Sequence, residues 1–284
     1  MTIKKLNSPN AMLKKSLLCW LALSPLILVV LFPFAVMVAT ALKPAAEVLS
    51  ADPSWLPSRI AWENFVTMWQ ATDFGTALLN SLYAATLATL LALAVSIPAA
   101  YAMSRYRFPG QGLYRDFLLV TQMLSPIVLV IGLFRLVAWL GLVGSVDSLV
   151  LVYAGFNIAF AVWMLQSYFA TIPLDLEEAA WLEGASRFRT VIRVFLPLAA
   201  PAMVVTAIFT FINAWNEFAV ALSLLRAPET HTLPIKIFSL VAGRYTIEWH
   251  HVMAATFVAT IPVAIVFAWL QRYLVRGLAL GAVK

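Results

Sequence analysis

Asn213, Asn216 and Glu217 stand at i, i+3 and i+4, a spacing that puts three polar side chains on one face of a helix. Thr206 and Thr210 extend that face. Glu217 is the only acidic residue well inside a long apolar run. A charge at the centre of a membrane helix costs about 2.5–3.5 kcal/mol on insertion scales, so Glu217 calls for a water-filled path or a partner. Two chemistries fit the stripe: it lines a path and hydrogen-bonds hydroxylated solutes, or it joins neighbouring helices. Arg135, in another apolar run, either pairs with Glu217 or reaches to the surface. Asn80, Gln122 and Asn157 are weaker lining candidates that also suit ordinary helix packing.

A second constellation is charged. Residues 173–197 open with Pro173 and place Asp175, Glu177 and Glu178 in the first turn of a helix, where carboxylates meet the positive end of its dipole. Ala179, Ala180 and Ala185 favour helix or are small, and Gly184 marks a bend or a close approach. Arg187, Arg189 and Arg193 follow, and Pro197 begins the next apolar run. The expected unit is a helix, a bend and a second helix, too charged to cross a bilayer. It either caps the bundle as an interfacial helix or serves as a docking knob for another protein.

Other chemistry is scarce. His250 and His251 are adjacent with Glu248 nearby, a set that reads as a surface pair rather than a metal site, so no metal is expected. Cys19 is the sole cysteine and excludes an internal disulfide or a cysteine-based zinc cluster. No Gly-Lys dipeptide occurs, so the chain lacks the phosphate-cradling loop G-x-x-x-x-G-K-[ST], and no nucleophile elbow or H-E-x-x-H appears. The sequence therefore reads as a non-enzyme that binds no cofactor of its own.

The elements that must position these residues are membrane helices. The chain of 284 residues is 63% hydrophobic and 11% charged, with mean hydropathy +0.91. Soluble domains carry about 25% charged residues. The net charge of +6 forms no basic stripe, which argues against nucleic acid. Six spans are expected near 17–42, 77–103, 117–140, 149–170, 198–225 and 252–274, all helical because open strands leave backbone groups unpaired in lipid. Residues 16–42 carry no charge, longer than the ~7–15 residues of a signal core, and read as a retained first span.

With both termini inside, thirteen basic residues fall in inner segments and five in outer loops, with Arg135 in a span. The positive-inside rule thus puts both termini and residues 173–197 in the cytoplasm. The expected division is an inner tail at 1–16, one membrane domain at 17–275 and an inner tail at 276–284. Outer loops 43–76 and 226–251 are long. The second, with His231, Lys236, Arg244 and Tyr245, can present a contact surface or act as a solvated connector.

The insert also carries a resemblance. Glu178, Ala179, Ala180, Gly184, Leu196 and Pro197 match the EAA-x3-G-x9-I-x-L-P signature of permease subunits in binding-protein-dependent importers, with Val194 at the isoleucine position. Residues 96–110, SIPAAYAMSRYRFPG, residues 214–218, AWNEF, and the tail RGLALGAVK resemble the MalG-like permeases of maltose-type carbohydrate importers. The resemblance implies an all-α membrane protein with six transmembrane helices, the type I ABC importer permease fold, and a coupling helix between spans 4 and 5. Glu178, Ala179, Ala180, Gly184, Ala185, Arg187, Leu196 and Pro197 would contact an ATPase. It further implies a MalF-like sister permease, two MalK-like ATPase subunits that use ATP and Mg, a solute-binding protein, a sugar-type solute and the lipid of a bacterial inner membrane. Asn213, Asn216, Glu217, Thr210, Asn80 and Gln122 would be candidates for the path, and His231, Lys236, Arg244 and Tyr245 for the binding-protein contact. The alternatives are an ion-coupled transporter with Glu217 as the ion site, or a membrane scaffold. The ion-coupled class calls for inverted repeats or broken spans, and neither is evident in the sequence.

Overall fold

The computed structural model describes residues 9–50, 54–242 and 247–281. Arg244 and Tyr245, and residues 1–8 and 282–284 of the expected tails, lie outside them. The described residues form helices and turns without a strand. In chain order the helices are α1 (Pro9–Ala41), α2 (Ala45–Val48), α3 (Glu63–Ala71), α4 (Phe74–Arg105), α5 (Gln111–Met123), α6 (Pro126–Trp139), α7 (Val146–Phe169), α8 (Asp175–Leu182), α9 (Arg187–Thr190), α10 (Leu196–Trp215), α11 (Ala219–Leu224), α12 (Leu233–Ser239) and α13 (Trp249–Gly281). Five helical stretches among the described residues are long and apolar enough to cross a membrane, and α5 with α6 makes a sixth if the bent pair counts as one.

The chain divides into two compact units. One contains residues 1–70 and 243–257. There the Asn64 amide donates to the Ala41 and Lys43 carbonyls at 2.8 Å, tying α3 to the end of α1. Phe65 meets Phe257 edge to face at 6.2 Å. The Arg59 guanidinium pairs with Glu63 one turn on, and both Ser58 groups, hydroxyl and amide, donate to Glu47.

The other unit, residues 71–242 and 258–284, holds the candidate sites. Its centre is α4 against α7, with α10 packed on both. Ala77, Ser81, Ala84, Ala85, Ala88, Ala92, Ser96 and Ala100 recur at helical spacing down one buried face of α4. Small side chains let two backbones approach closely where lipid supplies no hydrophobic push between helices. The Ser96 hydroxyl reaches the Ile158 carbonyl of α7 at 3.2 Å, a bridge only such proximity permits. Toward the charged insert the packing thickens into an apolar cluster of Leu165, Phe169, Ile172, Phe195 and Ala199.

Two expected spans are interrupted. The third, expected as continuous over 117–140, bends by 102° between α5 and α6. Pro126 opens α6, and a residue before proline is driven out of helical geometry, so Ser125 is extended (φ −67°, ψ 133°). The fifth, expected to run to 225, ends at Trp215 and resumes as α11 at Ala219. The absence of broken spans expected from sequence is thus corrected at both places.

Candidate functional site

Both interruptions border one polar cavity. About 230 Å³ is enclosed by Thr121, Gln122, Leu124 and Pro126 at the first break, Tyr153, Phe156, Asn157 and Phe160 of α7, and Asn213, Ala214 and Glu217 at the second. Irregular backbone at membrane depth is tolerated where it is buried in protein or lines a water-filled cavity, and here both breaks border a cavity. The cavity walls are cross-linked. Asn213 donates to Asn157 Oδ1 at 3.3 Å, Asn157 donates to the Tyr153 carbonyl at 2.8 Å, and Gln122 donates to the Phe156 carbonyl at 3.5 Å.

Glu217 lies beyond the end of α10, so it does not continue a helical face with Asn213. Its carboxylate accepts from the backbone N–H of Val220 at 2.9 Å and Ala221 at 3.1 Å, and from the Tyr153 hydroxyl at 3.0 Å. The first two are amides of the first turn of α11, which have no helical partner and attract negative charge. The structural answer to this membrane carboxylate is therefore a helix cap. Arg135 is exposed on α6 and is not among these partners.

The other expected lining residues separate. Asn216 is exposed at the α10 terminus but does not border the cavity. Thr206 is buried and turns its hydroxyl to the Ala202 carbonyl at 2.8 Å, and Thr210 is buried with a hydroxyl that has no hydrogen-bond partner. Asn80 stands in the second turn of α4 and does not line the cavity; its amide donates to the carbonyls of Glu229 at 2.9 Å and His231 at 3.1 Å. Next to it the Ser81 hydroxyl accepts from the Leu233 amide at 2.8 Å. These two side chains anchor the loop that follows α11. Lys236 on α12 is buried, and its ammonium donates to the Pro228 carbonyl at 3.3 Å. His231 is half-buried, and burial followed by the nearby Lys236 charge holds its imidazole below the usual range.

The charged insert forms the second site. α8 ends in a paired turn: the Gly184 amide donates to the Trp181 carbonyl at 2.9 Å and the Ala185 amide to the Ala180 carbonyl at 3.0 Å. This closure needs a left-handed residue, and Gly184 supplies it at φ +85°. A Cβ built there meets nothing within 4 Å, so the glycine marks a bend and not a close approach within the chain. The Ser186 hydroxyl then accepts from the Arg189 amide at 3.3 Å and caps α9, which runs through a π-helical turn at Val191–Phe195 into α10.

Glu178, Ala179, Gly184, Arg187 and Pro197 are exposed, and Ala180, Ala185 and Leu196 are half-buried. At the tip Leu182 is 90% exposed and Phe188 76% exposed. Arg187 spreads over the Trp181 ring at 5.4 Å and donates to the Tyr106 hydroxyl at 3.4 Å. Two large apolar side chains are thus exposed among the charges of this segment.

Glu177 is a candidate to which the sequence assigned only a place in the first turn of a helix. Its side chain is 1% exposed and accepts from Arg105 Nε at 2.6 Å and from the Tyr101 hydroxyl at 2.6 Å. The available signal was the pair of adjacent acids Glu177 and Glu178, which a helix cannot place on the same face.

In the first unit Glu248, His250 and His251 bring ligand-capable atoms within 4.8 Å. His250 is buried, unlike the expected surface pair. Both ring nitrogens of His251 are already engaged, Nδ1 with Glu248 and Nε2 with the Thr67 hydroxyl, each at 2.9 Å.

Comparison with known proteins places this architecture. The chain is 35% identical over 255 residues to the diacetylchitobiose uptake system permease protein DasC of Streptomyces coelicolor, covering 89% of this chain and 91% of that protein. It is 36% identical over 264 residues to the trehalose/maltose transport system permease protein MalG of Thermococcus litoralis, covering 90% and 92%. Its fold matches a chain of a bacterial ABC transporter involved in the import of the acidic polysaccharide alginate, with TM-score 0.77, 23% identity and coverage of 94% and 98%. Residues 92–280 match the family described as the binding-protein-dependent transport system inner membrane component. The chain has the type I permease fold and belongs to that family.

Proposed function

We propose that this chain is one of two permease subunits of an ATP-driven importer for a sugar or sugar derivative, with residues 17–275 as its membrane domain and both termini in the cytoplasm. The observation that carries this reading is the exposure of Leu182 and Phe188 within the charged segment 173–197. Large apolar groups raised among charges at a segment tip suit a protein groove. The partner is an ATPase subunit, because this chain lacks the loop that cradles ATP phosphates. ATP and Mg belong to two such subunits, and this chain holds no cofactor.

The relatives named for diacetylchitobiose, trehalose and maltose support a carbohydrate cargo. The loop at 226–251 meets a solute-binding protein, His231 being the half-buried contact candidate. Closure of the ATPases moves residues 173–197 and opens the path toward the loaded binding protein, and hydrolysis resets it. The solute passes beside Gln122, Asn213 and Glu217 and biases the cycle through its unequal affinity for the two states.

The ion-coupled alternative draws on the two broken spans, which border the only membrane carboxylate that sequence reasoning singled out. Family membership weighs against it. Proteoliposomes containing the full complex decide between them. Uptake of labelled maltose, trehalose or diacetylchitobiose driven by enclosed ATP is the expected result. Uptake driven by a proton gradient without ATP overturns the proposal.

A further inference from the structure

The insert has a second connection to the spans besides its own backbone. Arg105 is the last residue of α4, and its side chain touches three other elements. Nε donates to Glu177 of α8 at 2.6 Å, Nη2 donates to the Ile172 carbonyl just after α7 at 2.9 Å, and the guanidinium lies 5.0 Å from the centre of the Phe195 ring in the π-helical turn. Tyr101, four residues earlier on the same face of α4, donates to the other Glu177 oxygen at 2.6 Å and meets Phe195 edge to face at 4.9 Å. Phe169 of α7 also meets Phe195 edge to face at 4.9 Å. The two charged side chains are 9% and 1% exposed.

The backbone route from α8 to α10 is less regular. It passes through the left-handed Gly184 and the π-helical turn at Val191–Phe195, two departures from regular helix. The side-chain route bypasses both. A charge-assisted, nearly dry contact between Glu177 and Arg105 links α8 directly to α4, and α4 carries the close-packed face against α7.

We propose that Arg105 and Glu177, supported by Tyr101, are positioning residues that couple displacement of the insert to α4 and α7, so that ATP turnover is converted into solute movement. This rests on the importer reading above, and it adds a role for groups that face away from the docking tip. Loss of the brace leaves Leu182 and Phe188 in place, so it separates hydrolysis from transport and does not abolish docking.

The test uses the complete complex in proteoliposomes, reading ATPase-subunit retention, ATP hydrolysis and uptake of labelled trehalose, maltose or diacetylchitobiose, whichever the unaltered complex transports. In Glu177→Gln and Arg105→Lys the ATPase subunits are retained and ATP consumed per solute transported rises by about threefold to thirtyfold, the range open to residues in a coupling network. Tyr101→Phe removes one hydroxyl and leaves the ion pair. It gives a smaller rise in the same direction and carries the test if the charge variants fail to fold. An unchanged ratio in folded variants, with uptake and hydrolysis falling in proportion, overturns the proposal. An unaltered complex that retains no ATPase overturns the importer reading instead.

Discussion

The Tyr153 hydroxyl donates to the Glu217 carboxylate at 3.0 Å, joining α7 to the break between α10 and α11, while the same carboxylate caps two amides of α11. Loss of a helix cap costs about 0.5–2 kcal/mol, and a hydrogen bond to a charged group contributes about 1.5–3 kcal/mol. Glu217→Ala is therefore expected to lower the melting temperature of the purified complex by several degrees. Tyr153→Phe removes one of the three donors and is expected to lower it less. Thermal unfolding followed by tryptophan fluorescence checks the order, and a Glu217→Ala protein as stable as the parent contradicts the capping role.

Asn80 holds the loop after α11 by donating to two carbonyls. Asn80→Ala removes both bonds, whereas Asn80→Asp points a carboxylate at two carbonyl oxygens. The aspartate is expected to be the more damaging change, although it keeps the size of the side chain. Limited proteolysis across residues 226–240 measures the loosening. Equal resistance in both variants excludes Asn80 as the anchor.

At Gly184 the cost of substitution is conformational, because φ is +85° and a Cβ finds open space. A left-handed backbone costs an L-residue about 1–2 kcal/mol, least for asparagine and most for a β-branched residue. The expected order of stability is Gly184, then Gly184→Asn, Gly184→Ala and Gly184→Val, read from denaturant midpoints. Gly184→Ala as damaging as Gly184→Val excludes this torsional account.

His231 gives the loop a pH response of defined sign. Burial and the Lys236 charge lower its affinity for a proton, with Glu229 opposing. The neutral imidazole is favoured in the folded loop. Its stability is therefore complete above the ordinary histidine value of about 6.5 and declines as pH falls below that value toward the lowered one. Hydrogen exchange of residues 228–240, corrected for intrinsic rates, is expected to show less protection at pH 5.5 than at 7.5. His231→Gln is expected to abolish that difference, and a response that survives the substitution belongs to another group.

Much of this was legible in the chain itself. The apolar runs locate the long helices, though the third expected span is bent and the fifth ends early, and Glu178, Gly184 and Pro197 mark a helix, a left-handed bend and the entry to a span. The dipeptide Ser125–Pro126 already contained the break in the third span, but a window of uniform hydropathy overrides a local torsional signal. Glu217 was legible as a charge in need of a partner. Its partners are backbone amides and a tyrosine 64 residues earlier, which side-chain spacing along one helix does not reveal. The pairing of Glu177 with Arg105 spans 72 residues and depends on where α4 and α8 come together. Asn80 is polar in an apolar run in the same way as Asn213, and only the tertiary surroundings of each separate an anchor from a wall.

The contact between the insert and an ATPase is tested most directly by cysteine cross-linking. Cys19→Ser removes the sole native thiol, after which Leu182→Cys places a single cysteine at the tip, at a position 90% exposed in the isolated chain. In the complete complex in membranes, a short bifunctional thiol reagent is expected to join this cysteine to one introduced into the ATPase subunit. The yield is expected to change between nucleotide-free and ATP-bound states. Position 182 remaining open to a large thiol reagent and forming no cross-link in any nucleotide state, while the assembled complex still hydrolyses ATP, contradicts the assignment of residues 173–197 as the energy-coupling contact.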